Sequence, residues 1–150
     1  MDRRGVGGGV LIFLQTIILP NDLHATDFNR YFPGPVAAHV VRVIDGDTFE
    51  ASAAIWLDQD IAIRVRIAGI DAPELRARCD AERRGAEAAR DYLARRLEGG
   101  DVTLSAVRYD KYGGRVDAVV ADSGGDIARA LIHARLARPY DGGHRAGWCG

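Results

Sequence analysis

Residues 44–50, with the sequence IDGDTFE, decide how the first part of the chain folds. Apolar and β-branched residues flank Asp45-Gly46, a pair that is typical of a tight turn between two antiparallel strands. Residues 36–43 are expected to form the strand before this turn, and a second strand begins near Thr48. The turn requires only one aspartate. The second one, Asp47, either stabilises the turn through a side-chain hydrogen bond or holds something with its carboxylate.

The chain beyond this hairpin alternates between strand and helix patterns. Residues 61–67 (IAIRVRI) form a strand whose apolar and arginine side chains lie on opposite faces. A helix with Asp80 as its N-cap is expected to end at Gly99-Gly100. Two strands, near residues 102–107 and 115–121, and a second helix near residues 126–134 follow. This order predicts an α+β domain that is compatible with a five-stranded OB-fold β-barrel with packed helices; a generic α+β sandwich is the alternative.

Length and charge set limits on the function. The chain has 150 residues, enough for one domain, and a formal net charge of −1. A protein without a global basic field must bind an anion through a local cluster of charges. Residues 36–141 are expected to form the domain, preceded by a linker at residues 26–35 and followed by a tail at residues 142–150.

The first 25 residues differ from the rest of the chain, because Arg3 and Arg4 precede a short apolar run. The run is shorter than the roughly 20 residues that a membrane span needs, so a signal peptide or N-terminal leader is predicted. This segment predicts a periplasmic or secreted protein. An uncleaved anchor and a wrongly assigned start codon are the alternatives.

The cysteines Cys79 and Cys149 cannot form a tetrahedral zinc site by themselves. In an oxidising compartment they could form a disulfide. The alternative is that they are two unrelated thiols.

Four places in the chain carry side chains that could act together: Asp47, Arg66, the segment DAPE at residues 71–74, and the segment DKYGGR at residues 110–115. Each has a structural interpretation by itself, as a turn or as a solvated strand residue. Together, two carboxylates and a carbonyl suit a hard divalent cation, a nearby glutamate could activate water, and arginines could bind a phosphate and stabilise its charge. This combination predicts a phosphodiester hydrolase.

The segments VIDGDTFE, RVRIAGIDAPE and DKYGGRVDA, in this order, resemble the staphylococcal nuclease (thermonuclease) family over residues 39–140. The resemblance implies a five-stranded OB-fold barrel with packed helices. It also implies a Ca²⁺-dependent nuclease that hydrolyses DNA and RNA with little sequence preference and leaves 3′-phosphate ends. No stable protein partner is implied, no membrane contact is expected beyond an uncleaved leader, and a monomer is expected.

The resemblance also implies roles for individual residues. Asp47, Asp71 and the main-chain carbonyl of Ala72 would hold the cation, and Glu74 would be the general base. Arg66 and Arg115 would bind the scissile phosphate from two sides, Lys111 and Tyr112 would line the nucleotide pocket, and Tyr140 would be a platform on which a base stacks.

One departure from the family pattern concerns Arg115. The best-known members have Tyr-Gly-Arg where this chain has Tyr-Gly-Gly-Arg at residues 112–115. An extra residue turns a strand side chain to the opposite face, unless a glycine bulge absorbs it. Arg115 is therefore the predicted catalytic arginine, and Arg108 is the alternative.

A second class of function is a non-catalytic OB-fold module that binds nucleic acid. Such modules need a basic groove and several aromatic platforms, but aromatic residues make up only 7% of this chain and its net charge is −1. A binding module also has no need for the complete set of carboxylates and arginines, so the sequence favours the enzyme.

Overall fold

The computed structural model of the protein describes residues 31–110 and 114–149. The strands and helices are, in chain order, β1 (Tyr31–Phe32), β2 (Val36–Val43), β3 (Thr48–Trp56), β4 (Gln59–Ile67), β5 (Ile70–Asp71), α1 (Asp80–Leu97), β6 (Asp101–Tyr109), β7 (Val116–Asp122), β8 (Gly125–Asp126), α2 (Ile127–His133) and β9 (Arg138–Pro139). The predicted leader at residues 1–25 and the first half of the predicted linker lie outside the described residues.

Five of the strands close into a barrel. β2, β3 and β4 pair antiparallel in sequence order, β4 pairs parallel with β7, β7 pairs antiparallel with β6, and β6 returns to β2. The predicted α+β OB-fold barrel is therefore confirmed, and the alternative of a generic sandwich is wrong. The barrel interior is filled by side chains that are at most 1% exposed, among them Phe49, Val65, Ile67, Leu104 and Val120.

The turn at residues 44–47 packs against the rest of the fold through its glycine. The backbone N–H groups of Ile44 and Asp45 both donate to the carbonyl of Thr48, at 2.9 and 3.2 Å. A Cβ atom on Gly46 would lie only 2.6 Å from the Cβ of Ala89 in α1 and 3.0 Å from that of Ala72. Only glycine allows this close approach. The contact brings the turn, and Asp47 beside it, next to the segment that follows β5.

Two local expectations differ from the structure. α1 begins at Asp80 with Cys79 as its N-cap, not with Asp80 as the cap, because the extended backbone of Cys79 places its Sγ 3.5 Å from the N–H of Glu82. The apolar face predicted for residues 61–67 is not buried along its whole length: Ile61 is 43% exposed, because the outer half of the β3–β4 hairpin extends beyond the barrel core.

The residues at both ends of the described chain pair with strands of the fold. Tyr31 and Phe32, in the predicted linker, pair with Arg108 and Val107 of β6. Beyond α2, β9 pairs antiparallel with β5, so the residues that follow β9 begin beside Asp71. Within the described ranges, neither helix has the length and apolar composition needed to cross a membrane.

Candidate active site

The strand pairing brings the charged residues of distant segments to one end of the barrel. Arg66, near the end of β4, is the cross-strand partner of Thr48 at the start of β3, which directly follows Asp47. On its other side, Arg66 is the partner of Asp117 in the parallel strand β7. Arg66 and Asp117, on two neighbouring strands, and Asp47, the residue before β3, therefore lie at the same end of the barrel.

Arg66 is the central group of this arrangement. It is only 7% exposed, so the alternative interpretation as a solvated strand arginine is wrong. Its Nη2 donates to the carbonyl oxygen of Ile70 at 3.0 Å and lies 3.3 Å from Oδ2 of Asp47. Its Nη1 lies 3.9 Å from Oδ1 of Asp117. Since Ile70 directly precedes Asp71, the one guanidinium links the segments that carry the two predicted cation ligands.

Asp47 is a mostly buried carboxylate, with its side chain 13% exposed, and its charge is incompletely balanced. Its Oδ1 accepts a hydrogen bond from the hydroxyl of Thr48 at 2.8 Å. The turn itself is stabilised by Asp45, whose Oδ1 accepts from the N–H of Asp47 at 3.2 Å. Burial raises the pKa of Asp47 to about 6, although the charge of Arg66 lowers it. Burial disfavours the ionised form of this carboxylate, and a nearby cation would stabilise that form.

Asp71 and Glu74 differ in exposure. Asp71 is 6% exposed and Ala72 is 4% exposed, whereas the side chain of Glu74 is 58% exposed. All predicted cation ligands offer oxygen atoms, as Ca²⁺ and Mg²⁺ require. The buried carboxylates and the contact between Gly46 and Ala72 therefore fit a hard divalent cation that takes ligands from both segments.

Arg115 lies in the turn before β7. Its Nε forms an ion pair with Oδ2 of Asp110, and the backbone N–H of Asp110 donates to the carbonyl of Arg115 at 3.2 Å. Burial lowers the pKa of Arg115. The hydrogen bond and charge of Asp110, together with the charges of Asp47 and Asp117, outweigh this effect, so the pKa is raised above its ordinary value. Gly114 has a φ of +68°. Gly114, directly before Arg115, thus adopts a left-handed conformation that glycine reaches without strain.

Arg108, the alternative to Arg115, borders the site from β6. Its guanidinium carbon lies 5.7 Å from the centre of the Tyr31 ring. It also lines a cleft of about 300 Å³ with Arg66, Asp117 and Tyr140. Both arginines therefore border the site, Arg115 beside its carboxylates and Arg108 in the adjoining cleft.

The predicted substrate-binding residues are described only in part. Lys111 and Tyr112 lie outside the described residues. Tyr140 borders the cleft, with the guanidinium carbon of Arg66 5.9 Å and that of Arg145 5.3 Å from the centre of its ring. Its hydroxyl donates to the carbonyl of Gly143 at 2.9 Å, which fixes the ring at the edge of the site.

The structure adds residues that the sequence interpretation missed. Asp110 and Asp117 belong to the carboxylates around the arginines; Oδ1 of Asp117 is buried and has no hydrogen-bond partner among the described residues. Arg145 and Trp148, from the tail, both contact Asp71. The motif DKYGGRVDA contained Asp117, but no local pattern indicated which strand would lie beside β7.

The cysteines are joined. Cys79 and Cys149 form a disulfide across a sequence separation of 70 residues. Glu82 lies near both sulfur atoms, but disulfide sulfurs have no thiolate to offer a metal. This bond fixes the end of the chain to the start of α1, beside the segment that carries Asp71 and Glu74.

A closed OB-fold barrel with buried carboxylates and a buried arginine at one end defines a class of small domains whose site suits a cation and a phosphate. Comparison with known proteins makes the assignment specific. The family described as "Staphylococcal nuclease homologue" matches residues 64–146, more than half of the chain. The protein belongs to this family, and the resemblance stated from the sequence is confirmed.

Two curated relatives are similar to the chain. Both carry the name "Uncharacterized endonuclease", one from Escherichia coli O157:H7 and one from Escherichia coli. Each is 31% identical over 106 residues, which is 71% of this chain and 62% of the relative. The chain therefore spans less than two thirds of the length of these relatives.

Proposed function

We propose that the protein is a Ca²⁺-dependent nuclease that hydrolyses the phosphodiester bonds of DNA and RNA and leaves 3′-phosphate ends. The observation that carries this proposal is Arg66, buried at 7% exposure between Asp47 and the carbonyl that precedes Asp71. A guanidinium in this position can present its remaining N–H groups to a phosphate, while the carboxylates beside it hold the cation.

The residues have separate roles in this mechanism. Asp47, Asp71 and the carbonyl of Ala72 would hold the cation. When bound, the cation would supply Lewis acidity to the phosphodiester. Arg66 and Arg115 bind the phosphate oxygens and balance the charge that develops on them in the transition state.

Glu74 acts on the attacking water. It accepts a proton as the water oxygen bonds to phosphorus, and the bond between phosphorus and the 5′ oxygen breaks. Its side chain is 58% exposed, so water reaches it from solvent. The 5′ oxygen leaves as an alkoxide whose charge Arg115 stabilises; it takes a proton from solvent water, and Glu74 releases its own proton to solvent.

We also propose that the protein is exported and acts as a monomer in the periplasm or outside the cell. The charged and apolar leader supports export, and the disulfide between Cys79 and Cys149 suits an oxidising compartment.

The test is a cleavage assay on the full-length protein, with DNA and RNA oligonucleotides, in Ca²⁺ or in chelator. We expect cleavage only with the cation, and 3′-phosphate ends detected by mass spectrometry. Glu74→Gln is expected to lose about 10²- to 10⁴-fold in kcat while it still binds DNA. Glu87→Gln, an exposed position on α1, is the matched control and should cleave like the wild type. DNA binding without cleavage under any cation would instead identify the non-catalytic binding module.

A further inference from the structure

The described part of the C-terminal tail and the two residues that precede it, together residues 140–149, lie beside Asp71 and Glu74. The β5–β9 pairing places Asp71 opposite Arg138, and the N–H of Tyr140 donates to the carbonyl of Gly69 at 2.9 Å. From there the tail turns back, and its last described residue, Cys149, is bonded to Cys79. The tail is therefore attached at both ends, on either side of the segment that carries Asp71 and Glu74.

Both carboxylate oxygens of Asp71 have partners from this tail. Nε of Arg145 lies 3.2 Å from Oδ1, and Nε1 of Trp148 donates to Oδ2 at 3.3 Å. The same Arg145 donates through Nη1 to Oε1 of Glu74 at 3.1 Å. One guanidinium thus bridges the predicted cation ligand and the predicted general base.

The middle of the tail is also held by specific contacts. The guanidinium carbon of Arg138 lies 3.6 Å from the centre of the Trp148 ring, and its Nη1 donates to the carbonyl of Gly147 at 3.1 Å. Arg145 in turn lies against the Tyr140 ring. The side chain of Arg145 is nevertheless 39% exposed, so it can move into solvent without opening the core.

A divalent cation and a guanidinium cannot share the carboxylate of Asp71 without cost, because their charges repel and they compete for the same lone pairs. The tail supplies partners for both oxygens of Asp71 and for Glu74. Cation binding at Asp71 therefore opposes the contacts that Arg145 and Trp148 make with this carboxylate, and the free energy lost from them is subtracted from the free energy of cation binding.

We propose that Arg145, held in place by Glu74 and by the disulfide, competes with the cation for Asp71 and thereby sets the cation affinity of the site. The inference rests on the proposed function, since it takes Asp71 as a cation ligand. It assigns the tail a role in tuning the site that neither the fold nor the family membership requires.

The first experiment measures the dissociation constant of Ca²⁺ by calorimetry on the full-length protein at fixed ionic strength. Removing one nearby positive charge is expected to tighten binding by roughly tenfold in Arg145→Gln. Arg145→Lys keeps the charge and should stay nearer to the wild type. Arg90→Gln, in the middle of α1, removes an arginine that pairs with Asp91 and should leave the affinity unchanged.

A second readout uses the tail itself. The chain has two tryptophans, and Trp56 is 73% exposed at the tip of the β3–β4 hairpin. In a Trp56→Phe variant, Trp148 is the remaining indole, and its N–H bonds to Asp71. Ca²⁺ alone, without nucleic acid, is expected to shift its fluorescence at the same concentrations that calorimetry gives.

The outcomes separate this inference from the proposed function. An unchanged or weaker Ca²⁺ affinity in Arg145→Gln, in a protein that cleaves DNA with Ca²⁺, would overturn the role of the tail alone. If neither the wild type nor Arg145→Gln binds Ca²⁺, both proposals fail. The double variant Cys79→Ser/Cys149→Ser, checked for its fold by circular dichroism, should bind Ca²⁺ more tightly than the wild type. A wild-type affinity in this variant would overturn the role of the disulfide.

Discussion

Replacing Asp47 by asparagine tests whether the buried charge of Asp47 lowers the free energy of unfolding of the protein. In the cation-free protein, burial raises the pKa of Asp47 from 3.8 to about 6. The folded protein therefore binds this proton more tightly than the unfolded chain does. The stability that this proton supplies is fully present below about pH 4 and is lost as the pH rises through about 6. The shift is about two pKa units at about 1.4 kcal/mol each, or roughly 3 kcal/mol.

The assay is urea unfolding in chelator at pH 4 and at pH 7, on the wild type and on Asp47→Asn. Between these two pH values, the free energy of unfolding of the wild type should fall by roughly 2–3 kcal/mol more than that of the variant, because asparagine has no proton to release. Asp58→Asn, at the exposed turn between β3 and β4, is the control and should follow the wild type. Ca²⁺ at pH 7 should restore stability to the wild type and less to Asp47→Asn.

Two results would refute this reasoning. If the wild type and Asp47→Asn lose stability in parallel between pH 4 and pH 7, the buried carboxylate does not carry the expected cost. If Asp47→Asn is markedly less stable at pH 7, the ion pair with Arg66 outweighs the burial of Asp47.

Arg115→Lys is expected to lower kcat by about a hundredfold or more, because lysine cannot form bidentate hydrogen bonds with phosphate. Arg108→Lys should stay within a few-fold, and the reverse order in the same cleavage assay would make Arg108 the catalytic arginine. Opening the disulfide of Cys79 and Cys149, which are 70 residues apart, should lower the free energy of unfolding by about 4 kcal/mol in the chain-entropy model. Urea unfolding before and after reduction measures this change, and an unchanged midpoint would contradict it.

The barrel could be predicted because its strands and turns are local features of the sequence. The Asp45-Gly46 turn and the alternation in residues 61–67 each indicate a strand without reference to the rest of the chain. The order of strands and helices then limits the topology to a few arrangements. The close approach of Gly46 to Ala72 and Ala89 could not be predicted, because a glycine that serves a turn and one that serves a contact look the same in sequence.

The residues of the site were predictable only in part, because segments that are distant in sequence meet there through strand pairing. Arg66 is buried since β4 lies beside β7, and this parallel pair sets Arg66 opposite Asp117. No periodic pattern specifies a pairing between segments so far apart in the chain. The tail was missed for a related reason. Cys149 indicated a cross-link to Cys79, but nothing local indicated that Arg145 would reach Asp71.

The near-neutral charge of the chain is consistent with an anion-binding site, because the arginines at this end of the barrel are held by internal ion pairs. Arg66 pairs with Asp47, Arg115 with Asp110, and Arg145 with Asp71. In the proposed mechanism, a cation bound by Asp47 and Asp71 would weaken the ion pairs of Arg66 and Arg145, and the N–H groups of these arginines would then become available to a phosphate. Cation and phosphate would therefore bind cooperatively, each strengthening the other by the same factor. A site that worked in this way would need no net positive charge in the sequence, since the bound cation would release arginines from internal ion pairs to bind phosphate.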